Sequence, residues 1–162
     1  VTEGPVKPGR DSLTLLTNSK LIAGDADLPE DRSFLWFDLV AGEVTVSMAL
    51  ESGKTLSIGS NGNVAIYDDA TDQSDLSTTL SVFDGGRFAV GLERTDSGAI
   101  LYGGGDEQLP IPYGLAPGAR WVISPDPGSP ATIRALTLAI LEVKTSAQST
   151  TSQDSLASAD DL

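Results

Sequence analysis

The chain's apolar residues recur at every second position, in short runs separated by turn residues, and few structures other than an antiparallel β fold accommodate that pattern. In EVTVSMAL (43–50), Val44, Val46, Met48 and Leu50 alternate with Glu43, Thr45, Ser47 and Ala49, the period of a half-buried strand. SFLWFDLV (33–40) places Leu35, Phe37 and Leu39 on one face and Phe34 and Trp36 on the other. Only Ala41-Gly42 joins these two runs, the length and composition of a tight hairpin. KTLSI (54–58) follows Glu51-Ser52-Gly53, and NVAIY (63–67) follows Ser60-Asn61-Gly62. Asn-Gly there predicts a type I′ turn, with positive φ at both central residues. An antiparallel meander of four strands is therefore expected across 33–67.

The alternation resumes after the acidic stretch DDATDQSD (68–75). TTLSVF (78–83), the turn Asp84-Gly85-Gly86, RFAVGLER (87–94), a turn at 95–98 and AILY (99–102) follow in order. A Gly/Pro-rich excursion occupies 103–118, ARWVIS (119–124) is a further strand, and ATIRALTLAILEV (131–143) closes the series. Ser129-Pro130 would suit the start of a helix. However, Ile133, Leu136, Leu138 and Ile140 also fit a strand covered on both faces, which agrees with every element before it. Strands with turns every ~8–12 residues indicate an all-β antiparallel sandwich or barrel, spanning residues 13–143. An extended arm precedes it at 1–12, with Gly4, Pro5, Pro8 and Gly9, and a polar Ser/Thr-rich tail follows at 144–162. The tail buries too little to offset its ordering entropy unless a partner orders it.

Composition narrows the chemistry. The 162 residues contain no His and no Cys, which excludes a Ser-His-Asp triad, a thiol nucleophile, disulfides and Cys-ligated zinc. With 10 Lys+Arg against 23 Asp+Glu, the formal net charge is −13. A surface of that sign repels phosphate and anionic lipid, so neither nucleic acid nor membrane insertion is expected. The apolar stretches are far shorter than the ~20 residues of a spanning helix.

Any acid–base chemistry would fall to carboxylates, and glycoside hydrolysis needs two of them facing each other across a sugar. No strand carries such a pair: Asp38 is the only acid inside its strand, Glu43 opens the next, and Glu93 stands beside Arg94 at a strand end. Two acidic loops offer hard oxygen ligands of the kind calcium selects. One holds Asp25 and Asp27 with Glu30 and Asp31, the other Asp68, Asp69 and Asp72 with Asp75. Neither has EF-hand spacing, and Asp is also an ordinary turn residue, so a solvated turn is the reading preferred over calcium. GGGDEQ (103–108) carries the wrong charge to cradle phosphate and lacks a following Lys. Sugar rings stack on flat side chains, which makes Trp36, Tyr102 and Tyr113 the carbohydrate-binding candidates. Trp121, in an apolar strand, is assigned to the core.

The order of elements from Leu80 onward, LSVF-DGG-RFAVGLER-TDSG-AILYGGG, resembles the middle of concanavalin A-like (laminin-G-like) jelly rolls. In that family a strand, a glycine turn, an Arg-aromatic-x-Val strand (here Arg87-Phe88-Ala89-Val90) and a strand ending in Tyr-x-Gly-Gly (here Tyr102-Gly103-Gly104-Gly105) follow one another. ARWVIS and ATIRALTLAIL resemble its closing strands, so the likeness spans about 33–143. The resemblance implies a jelly-roll sandwich. Because the acidic E-x-D-x-x-E strand of the family's glycosidases is absent, it also implies a chain that is not an enzyme. Such domains are common in bacteriophage tails and virions, which implies a structural virion component, in the tail, tail fibre or head surface, that assembles with other virion subunits or itself as a homo-oligomer. The alternative is a secreted, extracellular lectin-like module that binds cell-surface glycan, with calcium as its only candidate cofactor.

Overall fold

The computed structural model describes residues 1–23 and 32–141. Among these residues, every regular element but one short 3₁₀ turn is a strand. The first four are short: β1 (Thr2–Glu3), β2 (Val6–Pro8), β3 (Leu13–Leu15) and β4 (Lys20–Ala23). β5 (Arg32–Ala41) and β6 (Val44–Leu50) are followed by the 3₁₀ turn Glu51–Gly53, then β7 (Lys54–Gly59), β8 (Asn63–Asp68) and β9 (Ser74–Thr79). β10 (Phe83–Asp84), β11 (Arg87–Thr95), β12 (Gly98–Tyr102), β13 (Gln108–Ile111), β14 (Trp121–Pro125) and β15 (Ala131–Leu141) complete the chain order.

Two antiparallel sheets result. The first runs β1-β4-β14-β6-β7-β8-β9; the second runs β13-β12-β11-β5-β15-β3-β2, with β10 alongside the start of β11. Alternation decides which side chains meet between them. Val44, Val46 and Met48 from β6, Trp121 and Ile123 from β14, Leu35 and Phe37 from β5, and Phe88, Val90 and Leu92 from β11 are all buried. Phe37 and Phe88 stack across the second sheet with ring centroids 4.9 Å apart. The sandwich expected from the alternation is therefore the fold observed.

Its topology differs from the expectation in four places. β5 and β6 are not a hairpin, because they belong to opposite sheets. Ala41-Gly42 carries the chain over the end of the core, and the meander is β6-β7-β8-β9. In the β7–β8 hairpin only Gly62 has positive φ (92°), and its N–H donates to the Gly59 carbonyl at 2.9 Å. That is a tight turn followed by a left-handed glycine rather than type I′. The strand expected at 78–83 instead occupies 74–79, so Leu80 and Val82 are the buried crossing from the first sheet to the second. Within the Gly/Pro-rich excursion lies an unexpected strand, β13, paired to β12.

The closing segment is a strand, with a bulge between Arg134 and Thr137 where Ala135 takes φ 56°. One extra residue there switches the inward face from Ile133 to Leu138 and leaves Leu136 exposed, which is why the segment fits neither a clean strand pattern nor a helical one. Residues of the N-terminal arm are extended and add an edge strand to each sheet, β1 on β4 and β2 on β3. The 144–162 tail lies outside the described residues.

Candidate functional site

Trp36 and Tyr102 come to the same outer face of the second sheet, from β5 and β12. Trp36 stands in the row Ala89–Trp36–Thr137, and Tyr102 in the adjoining row Tyr102–Gly91–Phe34. Phe34 lies over Gly91, where a Cβ would be 2.4 Å from its ring, and its centroid is 6.2 Å from that of Tyr102. The polar groups of this face are engaged with one another. The Tyr102 hydroxyl donates to Glu93, which raises the phenol's pKa, and Arg32 Nε lies 3.2 Å from the same carboxylate. Asp38 is shared between Arg87 Nε at 3.2 Å and Arg134 Nε at 3.3 Å. These are the side-chain ladders that stabilise an open sheet face.

Tyr113 is remote from both, in the loop after β13, and half-buried. Its hydroxyl donates to Asp75 at 2.8 Å, and Lys54 Nζ lies 5.6 Å from its ring centroid. Lys54 in turn bridges Asp68 at 3.1 Å and Asp75 at 2.6 Å. Asp68 and Asp75 of the 68–75 loop therefore converge on the Lys54 ammonium, and Asp69 is engaged separately. Asp68 accepts from the Ala70 N–H and from Lys54, Asp69 accepts from the Thr55 hydroxyl at 2.6 Å, and Asp72 sits in the turn at φ 59°. No cluster of three metal-ligating side chains occurs among the described residues. Asp25 and Asp27 lie outside them.

The Lys54 bridge ties the start of β7 to the end of β8, the start of β9 and the Tyr113 loop. The Asp68 carboxyl is held below its ordinary pKa by the Ala70 N–H and then by Lys54, and Asp75 by Lys54 and then by Tyr113. A carboxyl whose folded pKa is depressed contributes stability above its unfolded pKa, and that contribution is lost as pH falls through the folded value. Urea unfolding from about pH 6 down to about pH 2.5 is expected to show stability falling below about pH 4. Lys54→Met should make that fall shallower, chiefly through Asp75, since Asp68 keeps its backbone donor.

The outer face of the first sheet is different in kind. The pairings place Ile22, Val122, Ser47, Ser57, Ala65 and Ser77 in one row across β4, β14, β6, β7, β8 and β9. Ala49, Thr55 and Tyr67 stand in the next row. The loop before β14 walls this face. Its path is fixed by the Glu51 N–H donating to the Gly114 carbonyl at 2.8 Å and the Ala116 N–H to the Ala49 carbonyl at 3.1 Å. Pro117-Gly118 then turns the chain, closed by the Ala119 N–H on the Ala116 carbonyl at 3.1 Å. The result is a cleft of about 550 Å³ between residues 117–120 and Lys20, Ile22, Ser47, Ala49, Thr55, Val122 and Ser124. Its floor mixes short apolar groups with hydroxyls, and Tyr67, 40% exposed, stands beyond Thr55. Sequence reasoning misses these residues because serine and threonine on alternate positions are what any solvated strand face carries. Only the wall at 117–120 distinguishes them.

No family model matches the sequence, and neither does any curated protein. Among solved structures, the chain is similar to a prokaryotic β-1,3-1,4-glucanase (lichenase) derived from a mouse hindgut metagenome. The TM-score is 0.55 at 9% identity, covering 85% of this chain and 83% of that one. It is also similar to the carbohydrate-binding module CBM66 from Bacillus subtilis, with TM-score 0.53, 8% identity and coverage of 85% and 93%. The expectation that the chain is not an enzyme is overturned here: the same fold carries a glucanase as well as a binding module, so the missing E-x-D-x-x-E strand does not settle the question. Neither neighbour's name speaks of a virion. In fold, the chain is an antiparallel β-sandwich of the jelly-roll kind.

Proposed function

We propose that the chain is a lectin-like carbohydrate-binding module, acting outside the cell, which holds a sugar on the outer face of its first sheet. The observation that carries this is the walled cleft with Ile22, Ala49 and Val122 beside Ser47, Thr55 and Ser124. A sugar ring presents C–H patches between hydroxyls, and this floor offers both apolar contact and hydrogen-bonding groups. A carbohydrate-binding module of the same fold supports the reading. Both observations favour a glycan-binding role over a virion assembly role.

A glycan array followed by calorimetry on the full chain tests it. Ser47→Leu fills the cleft and removes a hydroxyl, and is expected to weaken binding by roughly tenfold or more. Tyr67→Ala should weaken it less, since Tyr67 stands beside the cleft. If Ser47→Leu is silent while Trp36→Ala abolishes binding, the site belongs to the second sheet instead.

A further inference from the structure

The cleft does not end at Lys20 and Ser124. A second cavity, of about 500 Å³, begins at the same two residues and continues between Glu3, Asn18 and Asp126. The sheet accounts for this continuity. Ile22 and Val122 face each other across the antiparallel strands β4 and β14. Two residues along each strand, the next outward positions are Lys20 and Ser124, and a further two lead to Asn18 and Asp126. From Ala49 to Thr45, which pairs with Ser124, is about 13 Å along β6, and the second cavity lies beyond that. The two cavities therefore form one trough that follows β4 and β14.

Its ends differ in chemistry. The inner end has Ile22, Val122 and Ala49 beside the 117–120 wall. At the outer end Glu3 enters from β1, with a carboxylate oxygen 3.3 Å from Lys20 Nζ, and Asp126 stands on the β6 side, where it accepts from the Thr45 hydroxyl at 2.9 Å. Asn18, in the turn before β4, is exposed. Carboxylates accept hydrogen bonds, and an amide both accepts and donates, so this end meets the hydroxyls of a sugar where the inner end meets its C–H patches.

We propose that the trough along β4 and β14 binds an oligosaccharide, with its first units in the walled cleft and the following ones at an outer subsite formed by Glu3, Asn18 and Asp126. The inference rests on the glycan-binding reading above and specifies its substrate class, a chain of sugars rather than a single terminal unit.

The test is calorimetric titration of the full chain with uncharged oligosaccharides of two, four and six units, derived from glucan, xylan, mannan and galactan. In at least one series the tetrasaccharide is expected to bind roughly tenfold more tightly than the disaccharide. Asn18 has φ 69°, a conformation that glycine adopts freely, so Asn18→Gly removes the amide without straining the turn. Asn18→Gly and Asp126→Ala should each weaken the tetrasaccharide several-fold and leave the disaccharide unchanged, a split that damage to the fold would not produce. Affinity that stays level from two to six units overturns the outer subsite and leaves the glycan-binding reading standing. A gain with length that is indifferent to both substitutions overturns the assignment to this trough. Failure of every oligosaccharide to bind overturns the proposal, and an empty glycan array beside it overturns the glycan-binding reading as well.

Discussion

Trp121→Ala is expected to cost about 3–5 kcal/mol, a large share of the roughly 5–15 kcal/mol that holds a domain together. Trp121 is fully buried on β14, between β4 and β6 in the first sheet. Its indole N–H crosses the core to the Ser33 hydroxyl at 3.1 Å, and Ser33, itself 4% exposed, belongs to β5 of the second sheet. Truncation therefore opens a cavity between the sheets and leaves Ser33 without its partner. Trp121→Phe separates the two effects: it keeps most of the volume and loses the hydrogen bond, for an expected cost of about 1–3 kcal/mol. Urea unfolding followed by circular dichroism measures both. A Trp121→Ala loss below about 1 kcal/mol would mean that the two sheets are not joined through this side chain.

How much of this is legible in the sequence depends on whether a feature is local. The alternation in β6 and β11 fixes their inward faces within a few residues, so the core positions Val44, Val46, Phe88 and Val90 follow from the pattern alone. The arch at Ala41-Gly42 does not, because a two-residue link of that composition serves a hairpin or a crossing equally well. The difference lies in which partner β5 finds, and its partners β11 and β15 come much later in the chain. The bulge at Ala135 is hidden for a similar reason. It is sited by the pairing of β15 with β5, and Arg87 donates to the Ala135 carbonyl at 3.0 Å from yet another strand. Ring chemistry alone singles out the aromatic candidates and says nothing of their neighbours. Trp36 and Tyr102 do share a face, but that face already uses its phenol and carboxylates internally. The cleft is invisible to a sequence pattern because it needs Ser47 and Thr55 to meet a loop some sixty residues further on, and no local signal carries that information.

Gly42→Ala offers the sharpest test of the crossing itself. Gly42 has φ 78°, in the left-handed region, and a Cβ there would stand 2.3 Å from the Pro130 carbonyl oxygen and 2.9 Å from the Ala131 Cα. Both neighbours are backbone at the start of β15, so neither can swing aside as a side chain would. The left-handed conformation costs a non-glycine residue about 1–2 kcal/mol, and forcing atoms into an occupied space adds about 1–3 kcal/mol. The expected loss is therefore about 2–5 kcal/mol. Gly53→Ala supplies the comparison. Gly53 has φ 68° in the turn between β6 and β7, with nothing within 4 Å of the added Cβ, so only the backbone contribution of about 1–2 kcal/mol applies. In a simple hairpin turn facing solvent, Gly42 would behave as Gly53 does. A clearly larger loss at Gly42, measured by urea unfolding of the two variants side by side, is the signature of a chain passing over the end of the core against β15. Equal losses would return Ala41-Gly42 to the hairpin that its composition resembles, and with it the pairing of β5 to β6.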